Sequence, residues 1–327
     1  MTRSWMAMRG LILGVALAAA CLPMPTGADR SPALPRIGVL MPPVIAMEEG
    51  LRQGLNDLGY IEGKSIIVEW RRSASQGEAL RSLAAELARS KVELVVGLGT
   101  PSARALMEAT SGIPVVFHMG DPVNMGLAAS IARPGGRATG VSVLSTQLTG
   151  KRLEFLQLLV PRARRIVYLW NGSNPAAAPL REEAQHAAQK LGLHLETVSA
   201  GTIPEIDRAL RDMRRSGADG CLLGGDLLYV VERARITRAI REARLPTVFP
   251  YPEFHDSGAL VSYGPSLKAN MRRVAGYIDK ILKGEKASEL PVDQVSKFEL
   301  VVDLREARST GIEVPQTLLY RADEVIK

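Results

Sequence analysis

The chain alternates two kinds of segment, and it does so twice over. From Arg36 onward, short and nearly unbroken apolar runs (RIGVLM, SIIVEWR, VELVVGLG, IPVVFHM) are each followed by a longer stretch. In those stretches (AMEEGLRQGLNDLGY, GEALRSLAAELARS, PSARALMEAT, PVNMGLAASIA) the apolar residues recur at helical spacing. Strands without apolar–polar alternation are covered on both faces, as in a parallel sheet flanked by helices. TGVSVL supplies a fifth strand, and TQLTGKRLEFLQLLVP a helix that ends at Pro161. The alternation then restarts with RIVYLW, LHLETVSA, ADGCLLGGD, PTVFPY and ALVSYG, with helices across AAPLREEAQHAAQKLG, IPEIDRALRDMRRSG and VERARITRAIREARL. A long helix, SLKANMRRVAGYIDKILKG, follows. The pattern predicts an α/β chain of two lobes, each built on a parallel sheet. A length of 327 residues lets both lobes bury a core.

The lobes must be joined, and the punctuation shows where. In GDPVNMGLAASIARPGGRATGVSV, Gly120 to Val143, Asp121 before Pro122 predicts a helix start and Arg-Pro-Gly-Gly its end. One last strand then carries the chain out of the first lobe. Further crossings are expected near Ser262–Gly264 and near Leu290–Gln294, where Pro and Gly again interrupt the pattern. Residues 36–143 thus form an N-terminal lobe and 144–262 a C-terminal lobe, with about 265–327 returning to the first. Several connections between two open sheets make a hinge, and ligands in such sheets sit beyond the carboxyl ends of the strands.

Ahead of the lobes, residues 1–28 read as a signal peptide: a short positive segment, the apolar GLILGVALAAACL, and small residues in TGA before Asp29. Cys21 after AAA offers the alternative of lipid anchoring, so export to the periplasm is expected in either a soluble or an anchored form. The other cysteine, Cys221, lies in the apolar GCLLGG as a buried strand residue, so no internal disulfide framework is expected. Net charge is +7, falling to +5 once Arg3 and Arg9 leave with the leader. With no basic run interleaved with aromatics, nucleic acid is not an expected partner.

Chemistry is sparse. His118, His186, His194 and His255 are scattered without metal-ligand spacing, and no GxSxG elbow is present. No enzyme activity, metal or cofactor is expected. The candidates suit binding. GLGTPSAR opens a helix at Thr100, Pro101 and Ser102, whose backbone N–H groups suit an anion. Asp121 and Asp226 each follow an apolar run. The aromatics Trp70, Phe117, Trp170, Tyr251, Phe254 and Tyr263 fall near strand ends, where flat side chains could enclose an apolar solute. Asn171 and Ser173 follow Trp170 with hydrogen-bonding groups.

These residues also carry a resemblance. GDPV..GL..S.ARPGG..TG, TQLTGKRLEFLQLLVP, the stretch from FHDSGALVSYG to STGIEVP, and the closing LLYRADEVI resemble the ABC-transporter substrate-binding protein family, of the type I periplasmic-binding superfamily. The resemblance runs from about Arg36 to the C-terminus. It implies two Rossmann-like lobes, a three-strand hinge, and closure around a small solute for delivery to an ABC permease in the inner membrane. Members with assigned ligands resemble binders of aromatic amino acids, so an aromatic or branched amino acid is the implied solute. Carried over by position, ligand contacts come from Pro42 and Pro43 in the Met41–Ala46 loop, from Thr100–Ser102, Asp121, Trp170, Asn171, Asp226 and Tyr251. The amides near Thr100 would take a carboxylate, and Asp226 or Asp121 an ammonium. The alternative of another class is a periplasmic ligand sensor of the same fold, signalling to a membrane receptor.

Overall fold

Branched side chains lose little rotamer freedom on a pleated surface, and Val, Ile and Leu dominate the runs that become strands. The computed structural model describes residues 33–74, 77–143 and 147–327, and Leu34–Lys327 hold together as one unit. The first half gives β1 (Arg36–Met41), α1 (Ile45–Asp57), β2 (Ile67–Arg72), α2 (Glu78–Arg89), β3 (Leu94–Leu98), α3 (Thr100–Ala109), β4 (Val115–Met119) and β5 (Ala138–Ser142). After α4 (Gln147–Leu159) come β6 (Arg165–Trp170), α5 (Ala178–Lys190), β7 (His194–Ser199), α6 (Ile203–Met213) and β8 (Gly220–Leu223). Next are α7 (Leu227–Val231), α8 (Arg233–Glu242), β9 (Thr247–Phe249), β10 (Val261–Gly264) and α9 (Leu267–Leu282). The chain closes with β11 (Asp293–Gln294), β12 (Glu299–Asp303), α10 (Leu304–Thr310), α11 (Gln316–Leu319) and β13 (Glu324–Ile326).

Two sheets result. The first has the order β11-β5-β4-β3-β1-β2, with every pairing parallel. Its middle strands β3, β4 and β5 are buried along their whole length, which explains why their sequences do not alternate. Close packing leaves no room for a side chain at Gly140: a Cβ there would stand 2.1 Å from the Phe117 carbonyl oxygen, at φ +147°. The second sheet has the order β13-β12-β10-β9-β8-β6-β7. It is parallel except where β12 runs against β10, pairing Val302 with Val261 and Leu300 with Tyr263. The expected pair of α/β lobes on parallel sheets is therefore present.

The chain passes between the sheets three times: from β5 to α4, from β10 to α9, and from β11 to β12. At the second passage, Ser266 caps α9 by accepting from the Ala269 N–H, and Glu253 Oε1 accepts from the Leu267 N–H at 2.7 Å. α9 then packs along α1, where Gly50 and Gly54 allow backbone to approach backbone. β11 joins the edge of the first sheet beside β5.

Two expectations need correction. The return to the first sheet does not extend to residue 327; it ends with β11. Leu300, Val301 and Val302 of β12 pair with β10, β13 pairs with β12, and Leu318 of α11 is buried in the core of the second lobe. Nor is PVNMGLAASIA a helix. Asp121 Oδ1 accepts from the Val123 and Asn124 N–H groups and starts one turn, which stops at Gly126 with φ +70°. The leader and Cys21 lie outside the described residues.

Candidate functional site

Strand ends of both sheets converge on one cleft, with about 120 Å³ of space open to the centres of water molecules. The lobes meet beside it: a Cβ on Gly99 would stand 3.0 Å from Leu227 Cδ1, and one on Gly120 would stand 3.2 Å from Ala176 Cβ.

On the first lobe the wall is the loop from β3 into α3. Gly99 is the N-cap residue, and Pro101 sits in the first turn, where a missing N–H costs nothing. Thr100 and Ser102 are buried, and Thr100 Oγ1 accepts from the Gly120 N–H at 3.3 Å. The amino end of α3 therefore faces the cavity with its partial positive charge. Pro42, at the end of β1, lines the same side. So does His118 of β4, whose Nε2 lies 3.3 Å from the Asn270 side-chain nitrogen. Burial pushes the His118 imidazole down to about 4, so it is neutral near pH 7.

On the second lobe, Asp226 follows β8 and caps α7. Its Oδ1 accepts from the Leu228 N–H at 2.9 Å and its Oδ2 from Asn174 Nδ2 at 2.7 Å. Two bonds fix the carboxylate, and an ionised carboxylate has about four acceptor positions. Tyr251 ends the β9 segment, and its hydroxyl oxygen would lie 3.2 Å from a Cβ on Gly225. Burial raises the Tyr251 pKa, Arg152 lowers it and Asp226 raises it further, so this ring lies within electrostatic reach of both charges. The rest of the wall is largely aliphatic, with Leu98, Leu148, Leu180 and Leu227 among its residues.

The structure thus brings Pro42, Thr100, Pro101, Ser102, Asp226 and Tyr251 to one cavity. The other sequence-derived candidates do not line it. Pro43 is exposed. Asp121 spends its carboxylate on its own turn, with Asn124 Nδ2 as a further partner. Trp170 stacks under the Arg181 guanidinium at 5.1 Å. Asn171 is buried, its Oδ1 accepting from the Ser173 N–H. Tyr263 turns its ring onto Phe155 at 5.0 Å. Phe117 and Phe254 are core residues, and Trp70 lies between Arg52 and Arg72.

Sequence reasoning missed His118, Asn174 and Arg152, all on the cavity wall. Arg152 was nonetheless legible: with Leu148, Leu156 and Leu159 it lies on the apolar stripe of α4, where a cation is out of place. Cys221 is fully buried, as expected, and its thiol is pushed up to about 12 by burial. Among the described residues no group of three or more His, Cys, Asp or Glu could hold a metal ion, and no helix is long and apolar enough to cross a membrane.

Comparison with known proteins agrees with this architecture. Residues 39–326 match the family model for ABC transporter substrate binding protein. The curated "Tyrosine-binding protein" of Clostridioides difficile (strain R20291) is 24% identical over 258 residues, 78% of this chain and 74% of that protein. Among solved structures, the ABC domain in complex with L-Trp from Streptococcus pneumonia is 25% identical with a TM-score of 0.82, covering 90% of this chain and 100% of that one. The ligand-free, open structure of a substrate binding protein with adhesive properties from Clostridium difficile is 22% identical with a TM-score of 0.63, over 90% and 99%, and shares the fold. The family model and these neighbours describe substrate-binding proteins, not enzymes. Two parallel-sheet lobes of the type I periplasmic binding fold, closed on one cavity and matched to the family over nearly their whole length, place this chain in the ABC transporter substrate binding protein family.

Proposed function

We propose that this protein binds a free amino acid with an apolar side chain in the cleft between its lobes and delivers it to an ABC permease in the inner membrane. It works outside the cytoplasm, exported by residues 1–28 and either released or anchored at Cys21. The observation that carries the reading is the cavity itself: mostly aliphatic, lined by both lobes, with the fixed Asp226 carboxylate on one and the amino end of α3 on the other. A tyrosine-binding relative and an L-Trp-bound neighbour support the same solute class.

Hinge closure is the mechanism. Contacts such as Leu227 on Gly99 exist only when the lobes meet, so a solute touching both lobes favours the closed form, which presents a composite surface to the permease. Asp226 receives the ammonium through a charge-assisted hydrogen bond.

A thermal-shift screen of the twenty protein amino acids, with sugars and nucleosides as comparison, tests this. A ligand that binds only the native state raises its melting temperature. Asp226→Asn keeps an oxygen to cap α7 but removes the charge, and is expected to weaken the best amino acid by about tenfold or more. Unchanged affinity in that variant removes Asp226 from the site. Stabilisation by a sugar or nucleoside alone removes the amino-acid reading.

A further inference from the structure

Arg152 is a buried cation of the site with no opposite charge against it. It projects from α4, is 4% exposed, and lines the cavity. Its Nε donates to the Tyr263 carbonyl at 2.8 Å and its Nη2 to the Pro250 carbonyl at 3.3 Å. A guanidinium has five N–H donors, and among the described residues no carboxylate pairs with this one. Burial lowers its pKa, yet from 12.5 an arginine stays charged at any physiological pH. An isolated buried cation is expensive, and an incoming anion with good geometry offsets that cost.

We propose that Arg152 binds the carboxylate of the solute, opposite the Asp226 site for its ammonium. The assignment rests on the amino-acid reading above and adds the residue that reads the acid end. It displaces the amino end of α3 as the principal carboxylate partner. That end offers about half an elementary charge, whereas Arg152 offers a full charge and a planar fork that matches a carboxylate. With one fixed cation, one fixed anion and a neutral His118, the cavity suits a zwitterion better than an amine or a simple acid.

The geometry also gives the contact a mechanical role. Tyr263 belongs to β10, whose last residue, Gly264, precedes the second passage between the sheets, and α4 begins just after the first. Arg152 joins α4 to β10, so an anion on its remaining N–H groups is bound on the second lobe close to two of the passages.

The test uses the full chain and calorimetric titration of whichever of the twenty amino acids stabilises it most, beside the α-carboxamide of the same amino acid. The amide keeps the ammonium and side chain and loses the negative charge. It is expected to bind about 10- to 100-fold more weakly. Arg152→Met is expected to weaken the acid by a similar factor and to leave the amide nearly unaffected, a coupling that α3 alone would not produce. If that variant does not fold, Arg152→Lys, which keeps a cation, replaces it and is expected to weaken the acid more than the amide. Equal affinity of acid and amide for the wild type overturns the assignment while the amino-acid reading stands. So does a folded variant with wild-type affinity for the acid. Absence of binding by all twenty amino acids overturns both.

Discussion

Replacing Gly50 by alanine is predicted to destabilise the protein, although an alanine inside a helix ordinarily does the opposite. Helix propensity alone favours Ala over Gly by about 1 kcal/mol. In α1, however, a Cβ on Gly50 would stand 2.5 Å from the Lys268 carbonyl oxygen and 3.0 Å from Lys268 Cα. These are backbone atoms of α9, so no rotamer change relieves the contact, and the helices must separate. Overpacking of this kind costs about 1–3 kcal/mol. Backbone contact puts Gly50 near the top of that range, leaving a net loss of about 1–2 kcal/mol after the propensity gain. Gly276, within α9 itself, is the internal control: a Cβ there would meet nothing within 4 Å. Gly276→Ala should therefore gain about 1 kcal/mol. With about 2–4 °C of melting temperature per kcal/mol in domains of some 200 residues, thermal unfolding followed by circular dichroism separates the two. Gly50→Ala should melt several degrees below wild type and Gly276→Ala slightly above it. A Gly50→Ala protein that melts at or above wild type refutes the close packing of α9 on α1, and with it the return of the chain to the first lobe.

Two further outcomes are expected. His118 is held neutral in the native state, to about 4, whereas an unfolded histidine titrates near 6.5. The unfolded chain thus takes up a proton that the native state refuses, and the His118 contribution, complete above pH 6.5, is lost as the pH falls towards 4. That amounts to roughly 3 kcal/mol at about 1.4 kcal/mol per pH unit, readable by urea unfolding at a series of pH values; parallel profiles for wild type and His118→Gln would sink the idea. The Cys221 thiol, fully buried and pushed up to about 12, should resist alkylation at pH 8 until the protein is unfolded. Rapid labelling of the native Cys221 peptide, read by mass spectrometry, would contradict its position in β8.

Much of the fold was legible because burial on both faces leaves a direct mark in the sequence: unbroken apolar runs such as LVVGL and VVFHM can only be interior strands. The Asp121–Pro122 helix was not, because a good helix start does not ensure a second turn, and Gly126 ends this one in a left-handed conformation. The fate of residues 299–327 was hidden for another reason. Strand partners are chosen by tertiary packing, and the ELVVD run would suit either sheet. Within the site, Thr100–Ser102, Asp226 and Tyr251 were accessible to sequence reasoning because they directly follow strands, where ligands of parallel sheets gather. The same rule also selected Trp170, Asn171 and Tyr263, which do not line the cleft. Proximity to a strand end fixes a residue's place but not its direction. Arg152 left the opposite kind of signal, a cation four residues after Leu148 and four before Leu156 on a stripe that is otherwise buried and apolar.

The late arrival of α9 and β11 also sets a timetable. The Tyr60 hydroxyl and the Asp279 carboxylate that accepts from it are 219 residues apart in the chain, and the first sheet gains its edge strand only at Asp293–Gln294. At about 5–20 residues per second, a ribosome that has finished β5 needs some 8–30 s more to deliver that edge strand. Until α9 emerges, the glycine face of α1 has no helix to pack against, and until β11 follows, the first sheet lacks its edge strand. The first lobe is thus completed by segments that leave the ribosome after most of the second lobe has been made.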